Sequence, residues 1–251
     1  GTISWDAGGS SIANIDTNGQ LTITGVGSVT VTATSTAPGY TPQKAAWTFI
    51  AERKPVTAVV TAEARTYKDG DKTATVTATL QSSDLVGNDV IKITLSGSFE
   101  DPNAGTDKKV KVDSSNPSFT GSTGSPGNYN ITYPATTTAS ILKADIDTTD
   151  TTKVTAPTAK TGLEYTGNPQ TLVTAGSSTE GFMEYSTDNI TYSTSLPTGT
   201  NAGNYDVWYR VKGDSNHNDT AGTKLGTVTI AKQTVTTPKI EFTPSGASYD
   251  G

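Results

Sequence analysis

The sequence predicts an all-β protein built from several β-sandwiches in tandem. Two observations lead to this prediction: short segments rich in Val, Ile and Thr alternate apolar with polar residues, and turns rich in Gly, Pro and Asn separate them. A third is composition, since only 32% of the 251 residues are hydrophobic, as expected for thin sandwiches with polar outer faces. No segment sustains a helical apolar period, so we expect no α-helix.

Charge and residue usage exclude several classes of function. The formal net charge is −6, which disfavours binding to nucleic acid and to anionic membrane surfaces. The absence of cysteine excludes disulfides, thiolate metal sites and a cysteine nucleophile together. No apolar run approaches the roughly 18 residues of a membrane-spanning helix, so we expect no direct membrane insertion.

Residues 1–54 are predicted to hold five short strands, with an Asn18-Gly19 hairpin turn and with Trp5 and Trp47 in the core. Three sequence motifs in this segment are informative about its family, at residues 11–16, 18–19 and 25–34. In this order they resemble the group 2 bacterial Ig-like domain, a β-sandwich of bacterial surface proteins. The resemblance implies a partial domain without its opening strand, which would leave an unpaired sheet edge.

Residues 55–143 are predicted to form a second sandwich of six or seven strands, entered at the Lys54-Pro55 hinge. Its motifs are Tyr67-Lys68-Asp69-Gly70, residues 84–89, Asn103-Ala104-Gly105-Thr106 and Gly127-Asn128-Tyr129. These motifs resemble the YDG domain, a module of large bacterial surface proteins. The extra Lys68 predicts a longer turn at the motif that names the family.

The remainder of the chain is predicted to contain a linker, a third sandwich and a fragment. Residues 144–153 are polar and are assigned to the linker. In residues 154–232, four motifs, at 165–170, 181–186, 201–205 and 213–219, resemble MBG-type Ig-like repeats of surface proteins from Gram-positive bacteria. Residues 233–251 resemble the first strand and turn of a further, truncated repeat.

One pattern occurs in both complete sandwiches. Asn-Ala-Gly stands at residues 103–105 and 201–203, and Gly-Asn-Tyr ends at Tyr129 and at Tyr205. A tyrosine just inside a strand can place its ring in the core while its hydroxyl bonds back to an earlier turn. We therefore predict a tyrosine corner at each position.

The sequence contains no evident catalytic constellation, and we expect a protein that is not an enzyme. The single histidine, His217, lies in a turn where we expect its side chain to face water. Glu180 and Glu184 share one face of a short strand, where a solvated sheet edge is favoured over an acid–base pair.

Aromatic residues are the best candidates for ligand binding. Alternation along residues 205–212 places Trp208 and Arg210 on the outward face, with Phe182 and Tyr192 as neighbours from nearby strands. Such a platform can stack on a sugar ring while a polar side chain bonds its hydroxyls. The competing interpretations are a cross-strand aromatic pair that only stabilises the sheet and a residue at a contact between domains.

The linker contains the one candidate metal site. Asp145, Asp147 and Asp150 are candidate ligands of an interdomain Ca²⁺ ion. The glycine and the bidentate glutamate of a calcium loop are lacking, so a solvated spacer is the favoured alternative. We expect no other cofactor.

The resemblances imply an elongated array of Ig-like sandwiches acting as a structural stalk or adhesin segment of a large bacterial protein, at the cell surface or secreted. Expected partners are neighbouring repeats and a host or cell-wall glycan or protein. A glycan-binding module and an accessory region of a secreted glycosidase are the alternatives. We expect a monomer or, alternatively, head-to-tail strand pairing between molecules through residues 236–251.

Overall fold

The computed structural model describes residues 1–240, and the regular secondary structure in this part of the chain is almost entirely β-strand. It contains no α-helix, and its only helical turns are two 3₁₀ segments, Ser82–Asp84 and Pro126–Asn128. No helix in these residues is long and apolar enough to cross a membrane. The predicted all-β fold class is thus confirmed. The chain divides into two compact units, residues 1–142 and residues from Lys143 onward.

The first five strands each overlap a strand predicted from alternation. They are β1 (Thr2–Asp6), β2 (Ala13–Ile15), β3 (Leu21–Ile23), β4 (Gly27–Thr36) and β5 (Gln43–Ala51). Antiparallel pairing orders three of them β1-β4-β5, while β2 and β3 form a hairpin. At the predicted turn, Gly19 has φ +84°, and a Cβ there would lie 2.6 Å from the Trp5 ring. This turn therefore requires glycine.

The prediction that Trp5 and Trp47 both fill this core is wrong for Trp47. Its side chain is 55% exposed, and Phe49 on the same face of β5 is 46% exposed. Neighbouring β4 has the buried residues Val29 and Val31, whereas no residue of β5 is buried, so no second layer covers this strand in residues 1–240. Within the described residues β5 pairs only with β4, so its outer edge is open.

Residues 54–142 contribute eight strands. They are β6 (Lys54–Thr57), β7 (Val59–Ala62), β8 (Arg65–Thr66), β9 (Thr73–Thr79), β10 (Lys92–Phe99), β11 (Gly105–Ser118), β12 (Tyr129–Thr132) and β13 (Thr136–Leu142). One sheet has the order β7-β9-β10-β11-β13-β8, and β6 pairs with β12. Each of the six predicted strands is observed, the first as the pair β6 and β7.

Large aliphatic and aromatic side chains pack tightly in this part of the first unit. Val76, Phe99 and Val110 are at most 1% exposed. Gly97 in β10 faces the same core, and a Cβ there would lie 2.7 Å from the Val76 side chain and 3.0 Å from the carbonyl oxygen of Lys111. The neighbouring side chains thus occupy the space that any larger residue at position 97 would need.

Tyr129 forms the predicted tyrosine corner. Its side chain is only 3% exposed. Its hydroxyl donates to Oδ2 of Asp89 at 2.7 Å and accepts the backbone N–H of Val86 at 2.9 Å. Burial raises the pKa of Tyr129, so the hydroxyl keeps its proton at neutral pH. These bonds anchor the turn before β10 to the start of β12.

The second unit contributes ten strands in the described residues. They are β14 (Val154–Thr155), β15 (Thr158–Ala159), β16 (Leu163–Glu164), β17 (Gln170–Thr171), β18 (Val173–Thr174), β19 (Ser177–Ser178), β20 (Gly181–Ser186), β21 (Thr198–Gly199), β22 (Gly203–Gly213) and β23 (Thr223–Ala231). The main sheet has the order β16-β23-β22-β20. Shorter pairs, β14-β19, β15-β18 and β17-β21, accompany it.

The inward face of β22 is the one predicted from alternation. Val207 and Val211 are fully buried, and Tyr205 and Tyr209 pack against the same core. The hydroxyl of Tyr205 donates to the backbone carbonyl of Asn201 at 2.8 Å, which completes the second predicted tyrosine corner.

Residues 144–153, predicted to be a linker, are built into the second unit. The backbone N–H of Ala144 donates to the carbonyl of Asn216 at 2.9 Å, and its own carbonyl accepts the N–H of Asn218 at 2.8 Å. Ile146 packs against the core of the unit. Backbone pairing and apolar contact therefore order a segment whose polar composition predicted a spacer.

The truncated repeat predicted for residues 233–251 falls mostly outside the described residues. Residues 233–240 form no strand, and Val235 and Ile240 are 87% and 71% exposed. Residues 241–251 lie outside the described part of the chain. They make up most of residues 236–251, the segment predicted to pair between molecules.

Replacing either corner tyrosine with phenylalanine should destabilise its own unit, and Tyr129→Phe should cost more. That change leaves the Asp89 carboxylate and the Val86 N–H without their partner, a loss of about 1.5–3 kcal/mol, whereas Tyr205→Phe removes one bond to a carbonyl, about 0.5–1.5 kcal/mol. Urea unfolding followed by hydrogen-exchange mass spectrometry measures each unit separately. Equal losses in the two units would contradict the prediction.

Candidate functional site

The outward face of the main sheet in the second unit carries the predicted aromatic residues. Strands β20 and β22 are adjacent and antiparallel, with the opposite pairs Phe182–Lys212, Glu184–Arg210 and Ser186–Trp208. Residues directly opposite each other share one face of a sheet. Tyr192 joins them from the loop after β20 by stacking on Arg210. We call Phe182, Tyr192, Trp208 and Arg210 the aromatic face.

Arg210 is held between a carboxylate and a ring. Its Nε and Nη2 lie 2.7 and 2.6 Å from Oε2 of Glu184, whose side chain is only 14% exposed. The guanidinium carbon lies 4.4 Å from the centroid of the Tyr192 ring, within the range of a cation–π contact. The guanidinium of Arg210 is therefore partnered both by the Glu184 carboxylate and by the Tyr192 ring.

A short loop between β20 and Tyr192 sets the position of this ring. Oδ1 of Asp188 accepts the Ser186 hydroxyl at 2.7 Å and the backbone N–H groups of Ile190 and Thr191 at 2.8 Å each. These bonds lower the pKa of Asp188 to about 2, and the bond from the Ser186 hydroxyl contributes most. The Tyr192 hydroxyl donates to Oδ1 of Asn189 in the same loop at 2.6 Å. The loop is thus ordered by an ionised carboxylate.

Trp208 and Phe182 present different amounts of ring surface. Phe182 is 50% exposed and borders an open groove of about 370 Å³, which Leu196 also lines. Trp208 is half-buried, and Lys224 Nζ lies 5.2 Å from its ring centroid while bonding to Oδ2 of Asp206 at 2.8 Å. A planar apolar ligand would therefore find its most accessible ring at Phe182.

The structure does not bring Asp145, Asp147 and Asp150 together as metal ligands. Within residues 1–240, no group of three or more His, Cys, Asp or Glu side chains is arranged to hold a metal ion. Asp147 and Asp150 each accept bonds from the hydroxyl and N–H of the threonine two residues later, which lowers the pKa of both carboxyls. Asp145 accepts the Asn218 amide at 2.8 Å. The carboxylates stabilise local turns instead of converging.

The expectation that His217 faces water is wrong. Its side chain is buried, with Nδ1 2.7 Å from Oδ1 of Asp214 and Nε2 3.6 Å from Oε1 of Glu180. Glu180 is itself buried and lies 2.6 Å from Lys153 Nζ, and this hydrogen bond raises the pKa of Lys153. The four side chains connect the segment before β14 to the turn after β22.

Glu180 and Glu184 are likewise not the solvated pair predicted from their spacing. Glu180 belongs to the cluster around His217, whereas Glu184 pairs with Arg210 on the aromatic face. No local signal could have identified these contacts, because the residues of each pair are 26 or more positions apart. Turn-forming neighbours predict exposure for His217, and only the folded chain covers it.

The first unit contains an open cavity that the sequence did not indicate. It has a volume of about 270 Å³ and is lined in part by Thr24, Lys54, Asn128, Asp89 and Tyr129. The last two side chains are hydrogen-bonded to each other, so part of its polar lining is already partnered. We therefore place the candidate site on the aromatic face.

Comparison with known families identifies one domain of the chain. The family profile of the YDG domain matches residues 52–139, which therefore form a YDG domain. This confirms the resemblance drawn for residues 55–143. A search of curated proteins gives no match.

One solved structure with a reported similarity is SGBP-B of the mixed-linkage glucan utilization locus of Bacteroides ovatus, in complex with a mixed-linkage heptasaccharide. The identity is 11% and the TM-score 0.17. The alignment covers 92% of this chain and 60% of the Bacteroides chain, so this protein spans about 60% of that length. A TM-score this low carries no argument about fold or ligand.

The loop that carries Tyr192 should loosen at low pH. The pKa of Asp188 is lowered from 3.8 to about 2, so its stabilising bonds are complete above pH 3.8 and are lost as the pH falls through 2. In an NMR titration, the amide protons of Ile190 and Thr191 should shift with a midpoint near pH 2. Asp188→Asn should abolish this titration, and a midpoint near 3.8 would contradict the prediction.

Proposed function

We propose that this chain is a load-bearing spacer segment of an extracellular bacterial surface protein. The observation that carries the proposal is the parallel pairing, in both units, of strands that are far apart in sequence. In the second unit β16 pairs with β23, at Leu163–Ile230 and Glu164–Ala231, and the N–H of Tyr165 adds a bond to the Ala231 carbonyl at 2.9 Å.

The first unit repeats this arrangement in residues 54–142, which include most of its YDG domain. Strand β6 pairs in parallel with β12 over four residue pairs, and β8 pairs in parallel with β13. Parallel strands run in the same direction, so the chain enters one strand at one end of the pair and leaves the other strand at the opposite end. Tension on the chain therefore pulls the two strands along their axes and loads their hydrogen bonds together.

The family relationships support the same role. A YDG domain lies at residues 52–139, and residues 154–232 resemble MBG-type repeats. Both families imply modules of bacterial surface proteins. The role needs neither catalysis nor a cofactor, and its partners are neighbouring repeats of the same protein. An accessory role in a secreted glycosidase stays a prediction.

Tyr165→Pro should weaken the second unit under tension. The substitution removes the N–H that bonds to Ala231, and losing one bond of about 1 kcal/mol from the pair speeds forced unfolding by roughly fivefold to tenfold. Single-molecule force spectroscopy on the full chain measures the unfolding force. The matched control, Tyr165→Ala, keeps the N–H and should unfold at nearly the original force; equal forces for the two variants would count against the proposal.

Glycan binding through the aromatic face is a second candidate function. The observation that favours it is the gathering of Phe182, Tyr192 and Trp208 on one sheet face, with Phe182 half exposed beside an open groove. Ring faces of this kind stack on the apolar face of a sugar.

A glycan array probed with the full chain tests this second candidate. Phe182→Ala and Trp208→Ala should each weaken binding by about threefold to tenfold, the effect of one lost stacking contact. Tyr40→Ala is the control, since Tyr40 is 79% exposed in the first unit and distant in sequence from this face. Absence of binding by the unmodified chain would remove glycan binding from consideration.

A further inference from the structure

We propose that β5 joins two copies of this chain through a two-fold symmetric, antiparallel strand contact. This strand of nine residues pairs with β4 along one edge, and within the described residues no strand pairs with its other edge. Its backbone N–H and C=O groups on that side are therefore available to a further strand.

Strand β5 lacks the features that keep sheet edges apart. It contains no proline, its register with β4 is continuous from Gln43 to Ala51, and its only charged residue is Lys44 near one end. Trp47, Phe49 and Ile50 are 55%, 46% and 76% exposed. The opposite edge strand of the sheet, β1, is only five residues long and ends in the charged Asp6. A long, apolar, regular edge of this kind favours association.

The sequence of β5 and the residue after it selects one register for self-pairing. When two antiparallel copies are centred on Thr48, Trp47 of each copy lies opposite Phe49 of the other, and Ala46 lies opposite Ile50. At both ends of the contact, Lys44 of one copy then lies opposite Glu52 of the other. The opposite charges at the ends and the apolar residues at the centre indicate that the strand pairing with β5 comes from a second copy of this chain.

Other registers fit less well. Shifting the register by one residue would place Trp47 opposite Thr48 and so join the core-facing side of one sheet to the outward side of the other. Shifting the register by two residues, which centres the pair on Trp47 or Phe49, would separate Lys44 from Glu52. In the Thr48-centred register the uncovered rings of both copies lie on the same side of the joined sheet and form two cross-strand aromatic pairs.

A cysteine at the symmetry axis tests the register directly, because the chain has no other cysteine. In Thr48→Cys the two introduced thiols face each other, with Cα atoms about 4.5–5.5 Å apart, which a disulfide spans. Ala46→Cys is the control on the same face, since its two copies would lie four residues apart along the strands, about 13 Å.

Under mild oxidation of the full chain, Thr48→Cys should form a covalent dimer on a non-reducing gel, and Ala46→Cys should not. Light scattering of the unmodified chain should give twice the chain mass at high concentration. Monomeric masses together with no cross-link would overturn the proposal. Masses beyond the dimer would overturn it as well, since head-to-tail pairing through residues 236–251 produces open chains.

Charge exchange gives an independent check with exposed residues that leave the fold intact. Lys44→Glu or Glu52→Lys alone places like charges opposite each other at both ends of the contact and should weaken dimerisation about tenfold. The double variant restores opposite charges and should recover the original dimerisation constant. Equal dimerisation by all four proteins would overturn the Thr48-centred register.

Discussion

The structure depends on one constraint: a β-sheet in water must have at least one face covered. Where a second layer is present, side chains such as Val76 in the first unit and Val207 in the second are fully buried. Where none is present, as over β5, aromatic side chains stay in contact with solvent. The open strand edge and the exposed rings of the first sheet are two consequences of this missing cover.

Polar anchors hold the loops that the thin cores cannot hold by packing. The Tyr129 and Tyr205 hydroxyls each bind a turn that precedes their strand, and the Asp188 carboxylate organises the loop that carries Tyr192. Only 32% of the residues are hydrophobic, so the cores are small. Such hydrogen bonds therefore fix loops that packing against a larger core would otherwise fix. The position of Tyr192 on the aromatic face therefore depends on an ionised carboxylate in the same loop.

Strand direction connects this architecture to the proposed role. In the proposed spacer role, tension along the chain would load several hydrogen bonds of a parallel pair such as β16 and β23 at once. An exposed aromatic face on the same unit is compatible with that role, since the strands proposed to bear load are β16 and β23, whereas Phe182 lies on β20 at the other edge of the sheet.

The sequence by itself determined the all-β class, most strands, the faces of β22, both tyrosine corners and the YDG domain, because these depend on period-two alternation and on local motifs. Only the tertiary structure decided that His217 is buried, that Trp47 is exposed and that residues 144–153 belong to the second unit. It also decided that the linker aspartates do not converge. Each of these depends on whether segments that are distant in sequence come into contact in the folded chain. Local composition does not determine such contacts.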